Sequence, residues 1–96
     1  MTDPHQESPL LAGLVGQIVV VDMRSTYVCL GTLVGFDPAY LELLDADLHD
    51  FRDGTATREV YVYDSVLIGI RRNRARVLLH RGEVVAVARF SDISEM

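Results

Sequence analysis

The sequence predicts a mainly-β domain in which a short N-terminal helix precedes strongly bent strands. Three observations lead there. β-branched and aromatic residues gather in short runs, only one segment reads as a helix, and the turns carry Gly, Pro or Asp. With 96 residues, 49 % of them apolar, the chain can fill one core but not two.

Residues 1 to 7 read as a disordered tail. Ser8 then offers an N-cap, and Pro9 takes the first helical position, where its missing N–H costs nothing. Leu10, Leu11 and Leu14 share one face before Gly16 closes a helix of about two turns, too short to persist unless its leucines dock. Gln17 to Met23 is apolar or β-branched up to Asp22, the pattern of a strand buried on both faces. Arg24-Ser25-Thr26 make a turn. Tyr27 to Phe36 is a longer strand whose Gly31 and Gly35 permit a sharp bend, because a Cβ there would meet a closely crossing backbone. At Asp37-Pro38 the chain turns again: proline fixes φ and the aspartate accepts from amides just downstream. Tyr40 to Ala46 is the third strand.

Asp47 to Thr57, rich in aspartate and without periodicity, reads as an exposed acidic loop. Asp45, Asp47 and Asp50 lie close together, yet Gly54 falls off the calcium-loop offsets and no closing glutamate follows. Arg58 to Tyr63 alternates Val60 and Val62 against Glu59, Tyr61 and Tyr63, which predicts a half-buried strand. Val66 to Ile70 resumes an apolar run. Beyond the arginine-rich segment 71–76, Val77 to Leu79 and Val84 to Phe90 form strand arms about His80-Arg81-Gly82-Glu83, where Gly82 suits the positive φ of a tight hairpin.

The net charge of −5 hides an asymmetry. Through Asp64 three arginines face eleven carboxylates, whereas from Ser65 onward six arginines face three, and all nine basic residues are arginine. Arg71, Arg72, Arg74 and Arg76 make a local basic patch that suits a polyanion; the same cluster also fits a solvated face or subunit-interface ion pairs. The longest uncharged apolar run, Leu10 to Val21, is well short of the roughly twenty residues that span a bilayer. Met1 to Glu7 is polar and acidic, unlike a secretory signal, so a cytoplasmic protein is expected. Cys29 is the only cysteine, and His5, His49 and His80 come without a C-x-x-C pair, so neither a disulfide nor a metal or other cofactor is expected. No nucleophile and base pair, P-loop or dinucleotide fingerprint occurs, so the expectation is not an enzyme.

The stretch Leu30-Gly31-Thr32-Leu33-Val34-Gly35-Phe36-Asp37-Pro38-Ala39-Tyr40-Leu41-Glu42-Leu43, followed by Val77-Leu78-Leu79-His80-Arg81-Gly82-Glu83-Val84-Val85, resembles the paired motifs of the Sm-like small β-barrels. That is a ring-forming family whose pores bind single-stranded RNA. Gly31, Leu33, Gly35, Phe36, Asp37, Tyr40 and Leu43 stand in register with the first motif. Arg81-Gly82 match the second one position off, and Asp64 to Arg76 has no counterpart.

The resemblance implies a five-stranded, SH3-like barrel over residues 8 to 92 with the helix capping one mouth. Its free edge strands would pair between subunits in a homo-oligomeric ring. It also implies an RNA site of Asp37, Tyr40, Leu41, Arg81 and Gly82, with a base stacked between the Tyr40 ring and the Arg81 guanidinium. Arg71 to Arg76 would adjoin it. Leu41 stands where the family carries the asparagine that reads the base edge, so stacking with weak base specificity is what this chain implies. Leu41 and the overall acidity also fit an alternative: a ring kept for protein interaction after losing its nucleotide site. Asp37 could equally serve to cap its turn, Tyr40 to pack on the barrel mouth, and Arg81 to pair with a neighbouring carboxylate.

Overall fold

In a computed structural model that describes residues 8–53 and 56–93, five antiparallel strands follow a short helix. Helix α1 (Pro9–Ala12) leads to β1 (Ile18–Met23), β2 (Tyr27–Phe36) and β3 (Tyr40–Asp50). A 3-10 turn (Phe51–Asp53), helix α2 (Arg58–Ile68), β4 (Arg74–His80), a second 3-10 turn (Arg81–Glu83), β5 (Val84–Arg89) and a third (Phe90–Asp92) complete the chain. The tail expected at 1–7 lies outside the described residues.

The strands form one sheet in the order β4-β3-β2-β1-β5. β4 and β5 therefore occupy opposite edges, although only the turn Arg81–Glu83 joins them. From His80 to Val84 the chain reaches at most about 14 Å, so the sheet must curl until its edges approach. Two backbone bonds hold the link in place: Arg81 N–H donates to the Ala39 carbonyl and Arg24 N–H to the Glu83 carbonyl, both at 2.8 Å. β4 and β5 exchange no ladder among the described residues. The expected Arg-Gly hairpin is thus corrected to a crossover. Gly82 does not adopt positive φ either. A Cβ there would come within 3.0 Å of the His80 ring, whose Nδ1 accepts from Gly82 N–H at 3.0 Å.

Curling is built into the β2–β3 register, which shifts between Leu30 and Thr32 and again between Leu33 and Gly35. At the first shift Asp45, with φ of 50°, absorbs an extra residue on β3. A Cβ on Gly31 would lie 3.0 to 3.1 Å from Ala46 and the Leu44 carbonyl oxygen, so the close approach predicted there is present. Gly35 meets only the Glu42 side chain at 3.5 Å and is not sterically required.

β1 is buried on both faces, as its apolar run predicts. Val19 and Val21 point with Cys29, Leu33, Leu41, Leu43 and Leu79 into the main core, where each fully buried leucine or valine contributes about 1.5–3 kcal/mol. Val20, Val28 and Leu30 face the other way, against Val62 of α2, with Phe90 and Ile93 packed beside them. Leu11 and Leu14 dock on the main core as expected, whereas Leu10 is solvent-exposed. Ser8 caps α1 by accepting from Leu11 N–H at 3.3 Å.

Arg58 to Tyr63 is the first turns of a helix, not a strand. Arg58, Tyr61, Val62, Tyr63, Ser65 and Val66 are its buried or half-buried positions; the recurrence at 58, 61, 62, 65 and 66 is a helical spacing that docking against β1 and β2 rewards over local β-propensity. Thr57 caps it by accepting from Val60 N–H at 3.3 Å, and Gly69, with φ of 97°, stops it. The loop expected from Asp47 is also corrected: β3 continues to Asp50, and both Asp47 and Asp50 are buried. No helix among the described residues is long and apolar enough to cross a membrane.

Candidate nucleic-acid interface

The Asp37 turn is built by its own side chain. Asp37 Oδ1 accepts from the Ala39 and Tyr40 amides at 2.8 and 2.7 Å. These two bonds, the Tyr40 one foremost, hold its carboxyl below the ordinary value of 3.8, with the Arg81 charge adding to the effect. The carboxylate is thereby committed to backbone, and Tyr40 enters β3 in a fixed position.

Register then sets the partners. Tyr40 pairs with His80 across the β3–β4 ladder, and their rings meet edge to face with centroids 5.4 Å apart. Tyr40 remains 40 % exposed, so one aromatic surface is steadied by His80 while the rest is open. Arg81 follows at once: its Nη1 donates to the Asp37 carbonyl at 2.6 Å and its guanidinium lies 5.9 Å from the Phe36 ring. It makes no ion pair with a carboxylate among the described residues. Two separate connections, β2–β3 and β4–β5, are thus stitched into one surface carrying an open tyrosine and a fixed guanidinium.

Of the sequence-predicted site residues, Asp37, Tyr40, Arg81 and Gly82 come together here. Leu41 does not join their surface: it is 1 % exposed and packs in the core opposite Leu79. Nor does the arginine-rich segment. Arg74 pairs with Ala46, six ladder positions from the Tyr40–His80 pair, which is about 20 Å along a strand. Arg76 is bound to Glu42 at 2.5 Å.

Two features are not readable from the sequence: His80 as a ring partner of Tyr40, and a buried polar cluster at the far end of β3. There Asp47 accepts from the Tyr61 hydroxyl and, at 3.0 Å, from Asn73 Nδ2. Tyr61 stacks on His49 with centroids 3.9 Å apart. Burial first, then the bond to Asp47, pushes the Tyr61 phenol well above its ordinary 10.0. Cys29, buried and beside Asp47, is pushed up from 9.0 to about 12 and is no nucleophile at neutral pH. Among the described residues no group of three or more His, Cys, Asp or Glu is placed to hold a metal ion.

Two solved archaeal structures share this fold. An Sm-like protein of Archaeoglobus fulgidus, AF-Sm2, superposes with a TM-score of 0.56 at 21 % identity, over 93 % of this chain and 96 % of that one. The Sm protein of Pyrococcus abyssii, solved in complex with a uridine heptamer, gives 0.59 at 14 % identity, over 84 % of this chain and 93 % of its own. No protein-family model and no curated protein matches the sequence.

Proposed function

From the Sm-like fold that the chain shares with these archaeal proteins, we propose that it assembles into a homo-oligomeric ring and binds single-stranded RNA at the Tyr40–Arg81 surface. The observation that carries this reading is a half-open tyrosine on the same surface as a guanidinium that makes no ion pair among the described residues. Stacking on such a pair is sequence-tolerant and is valued at ~1–3 kcal/mol per base. The uridine heptamer bound by the Pyrococcus abyssii protein supports the same class of ligand. Leu41, sealed in the core, supplies no base-edge reader, so discrimination among bases is weak.

Assembly follows from the edges. β4 and β5 each pair on one side only, and Leu78 and Val85 stand exposed on them, at 46 % and 66 %. Joining β4 of one copy to β5 of the next satisfies both, and repetition closes a ring. The role is one of binding, without catalysis or cofactor, in the cytoplasm.

Fluorescence anisotropy of labelled oligo-U, oligo-A and oligo-C over a salt series tests the site. Salt-dependent binding of similar strength to all three, lost in Tyr40→Ala/Arg81→Ala, is the expected result. An assembled wild type that binds none of them leaves the second reading, a protein-interaction ring, which the burial of Leu41 favours. Light scattering tests assembly: a monomeric mass at micromolar concentration contradicts the ring.

A further inference from the structure

The segment Arg71-Arg72-Asn73-Arg74 is a fixed strip rather than a loose charged loop, and Asn73 fixes it. Asn73 N–H donates to the Ala46 carbonyl at 2.9 Å. Its Oδ1 accepts from Leu48 N–H, and its Nδ2 donates to the Leu48 carbonyl and to buried Asp47, all at 3.0 Å. Four bonds from one residue pin the backbone between Arg72 and Arg74, so the flanking guanidinium groups leave the surface from set positions.

These arginines are exposed, and the one hydrogen bond that any of their guanidinium groups makes among the described residues is from Arg74 Nη1 to the Asn73 carbonyl at 3.0 Å, which leaves its other N–H groups facing outward. Arg71, Arg72 and Arg74 make no ion pair among the described residues, unlike Arg52, Arg58, Arg76 and Arg89. Exposed Asp45 and Asp64 form no ion pair with any of the three, although Asp64 and Arg71 border the same surface depression. In a chain of net charge −5, a pinned strip of three unpaired guanidinium groups is a marked local reversal of sign. A guanidinium presents a planar fork that matches a phosphate in two-point contact. The strip itself holds no apolar or aromatic side chain, which a protein-binding core would need.

We propose that Arg71, Arg72 and Arg74 form a second nucleic-acid contact that grips the phosphodiester backbone without reading bases, about 20 Å from the Tyr40–Arg81 surface along the β3–β4 ladder. It rests on the RNA-binding reading only for the identity of the strand. A short oligonucleotide fills the Tyr40 surface alone, and a longer one engages both.

The test compares labelled hexauridylate with an oligouridylate about four times longer, using wild type, Arg71→Gln/Arg72→Gln/Arg74→Gln and Tyr40→Ala/Arg81→Ala over a salt series. The triple variant is expected to lose more than about tenfold in affinity for the long strand, its log–log salt slope falling by about 2. Hexauridylate affinity should stay within about twofold, whereas a mere change in net charge would weaken both strands alike. Equal loss for both strands, or an unchanged long-strand slope, overturns the proposal. Loss of hexauridylate binding by the wild type with a retained, arginine-dependent long-strand slope removes the Tyr40 site and leaves the strip standing. Displacement of the long strand by polyglutamate as readily as by unlabelled RNA marks the strip as a dock for acidic proteins and also overturns it.

Discussion

The two ends of the β3–β4 ladder are built by opposite means. At the Tyr40–His80 end a carboxylate is exposed and occupied with its own turn, so Asp37, Ala39 and Tyr40 organise one another within four residues. At the Ala46–Arg74 end the carboxylate of Asp47 is buried and joins residues 14 and 26 positions away, Tyr61 and Asn73. At the first end the carboxylate's own bonds are local and the surface is open, with His80 and Arg81 reaching it from β4 and the turn beyond to leave a half-exposed aromatic ring. The second is long-range and closed, and fastens both α2 and the start of β4 to the sheet. The proposed base-stacking surface can therefore be altered at little cost to stability, while the end that displays the arginine strip is bound into the stability of the fold.

Substitutions can break that contrast. Asp47→Ala leaves the Tyr61 hydroxyl and Asn73 amide without their acceptor and should cost about 3 kcal/mol, read as a lower urea midpoint. A loss below about 1 kcal/mol would mean that the far end is not held by this cluster. Gly31→Ala drives a Cβ to 3.0 Å from Ala46 and should cost about 1–3 kcal/mol. Gly35→Ala, with only the flexible Glu42 side chain at 3.5 Å, should be nearly neutral. Equal effects at the two glycines would refute the bend assigned to Gly31.

Proton linkage sharpens the same contrast. The folded Tyr61 phenol titrates above its ordinary 10.0, so its stabilisation is complete below pH 10 and is lost as pH rises beyond it. Cys29, moved from 9.0 to about 12, adds a loss that begins above pH 9. Tyr61→Phe should therefore flatten the alkaline arm of a stability–pH curve. Asp37 behaves in reverse: its folded carboxyl lies below 3.8, so its contribution is complete above that pH and is lost as pH falls through the folded value. Asp37→Asn should make the acid arm shallower, the smallest effect of the set, because Asp50, also held low by Arg52, keeps part of that arm.

What was legible in the sequence follows the same division. The turn at Asp37, the cap at Ser8, the two-sided burial of β1 and the close approach at Gly31 each depend on residue types within a short window, and each is present in the fold. The second end was not legible. Asp47 read as loop because its burial depends on Tyr61 and Asn73, far along the chain, and the alternation Val60–Val62 read as strand because its helical docking partners lie on β1 and β2. His80 illustrates the limit at the site itself: only the strand register puts its ring against Tyr40. Leu41 shows the converse, since a position in the motif does not decide whether a side chain faces ligand or core.

The most direct measurement is a titration of isotope-labelled protein with hexauridylate, followed by amide chemical shifts. The account predicts that Ala39, Tyr40, Arg81 and Gly82 move while Asp47, Tyr61 and Asn73 stay. Shifts confined to the Asp47 end, with Tyr40 and Arg81 unmoved, would contradict it.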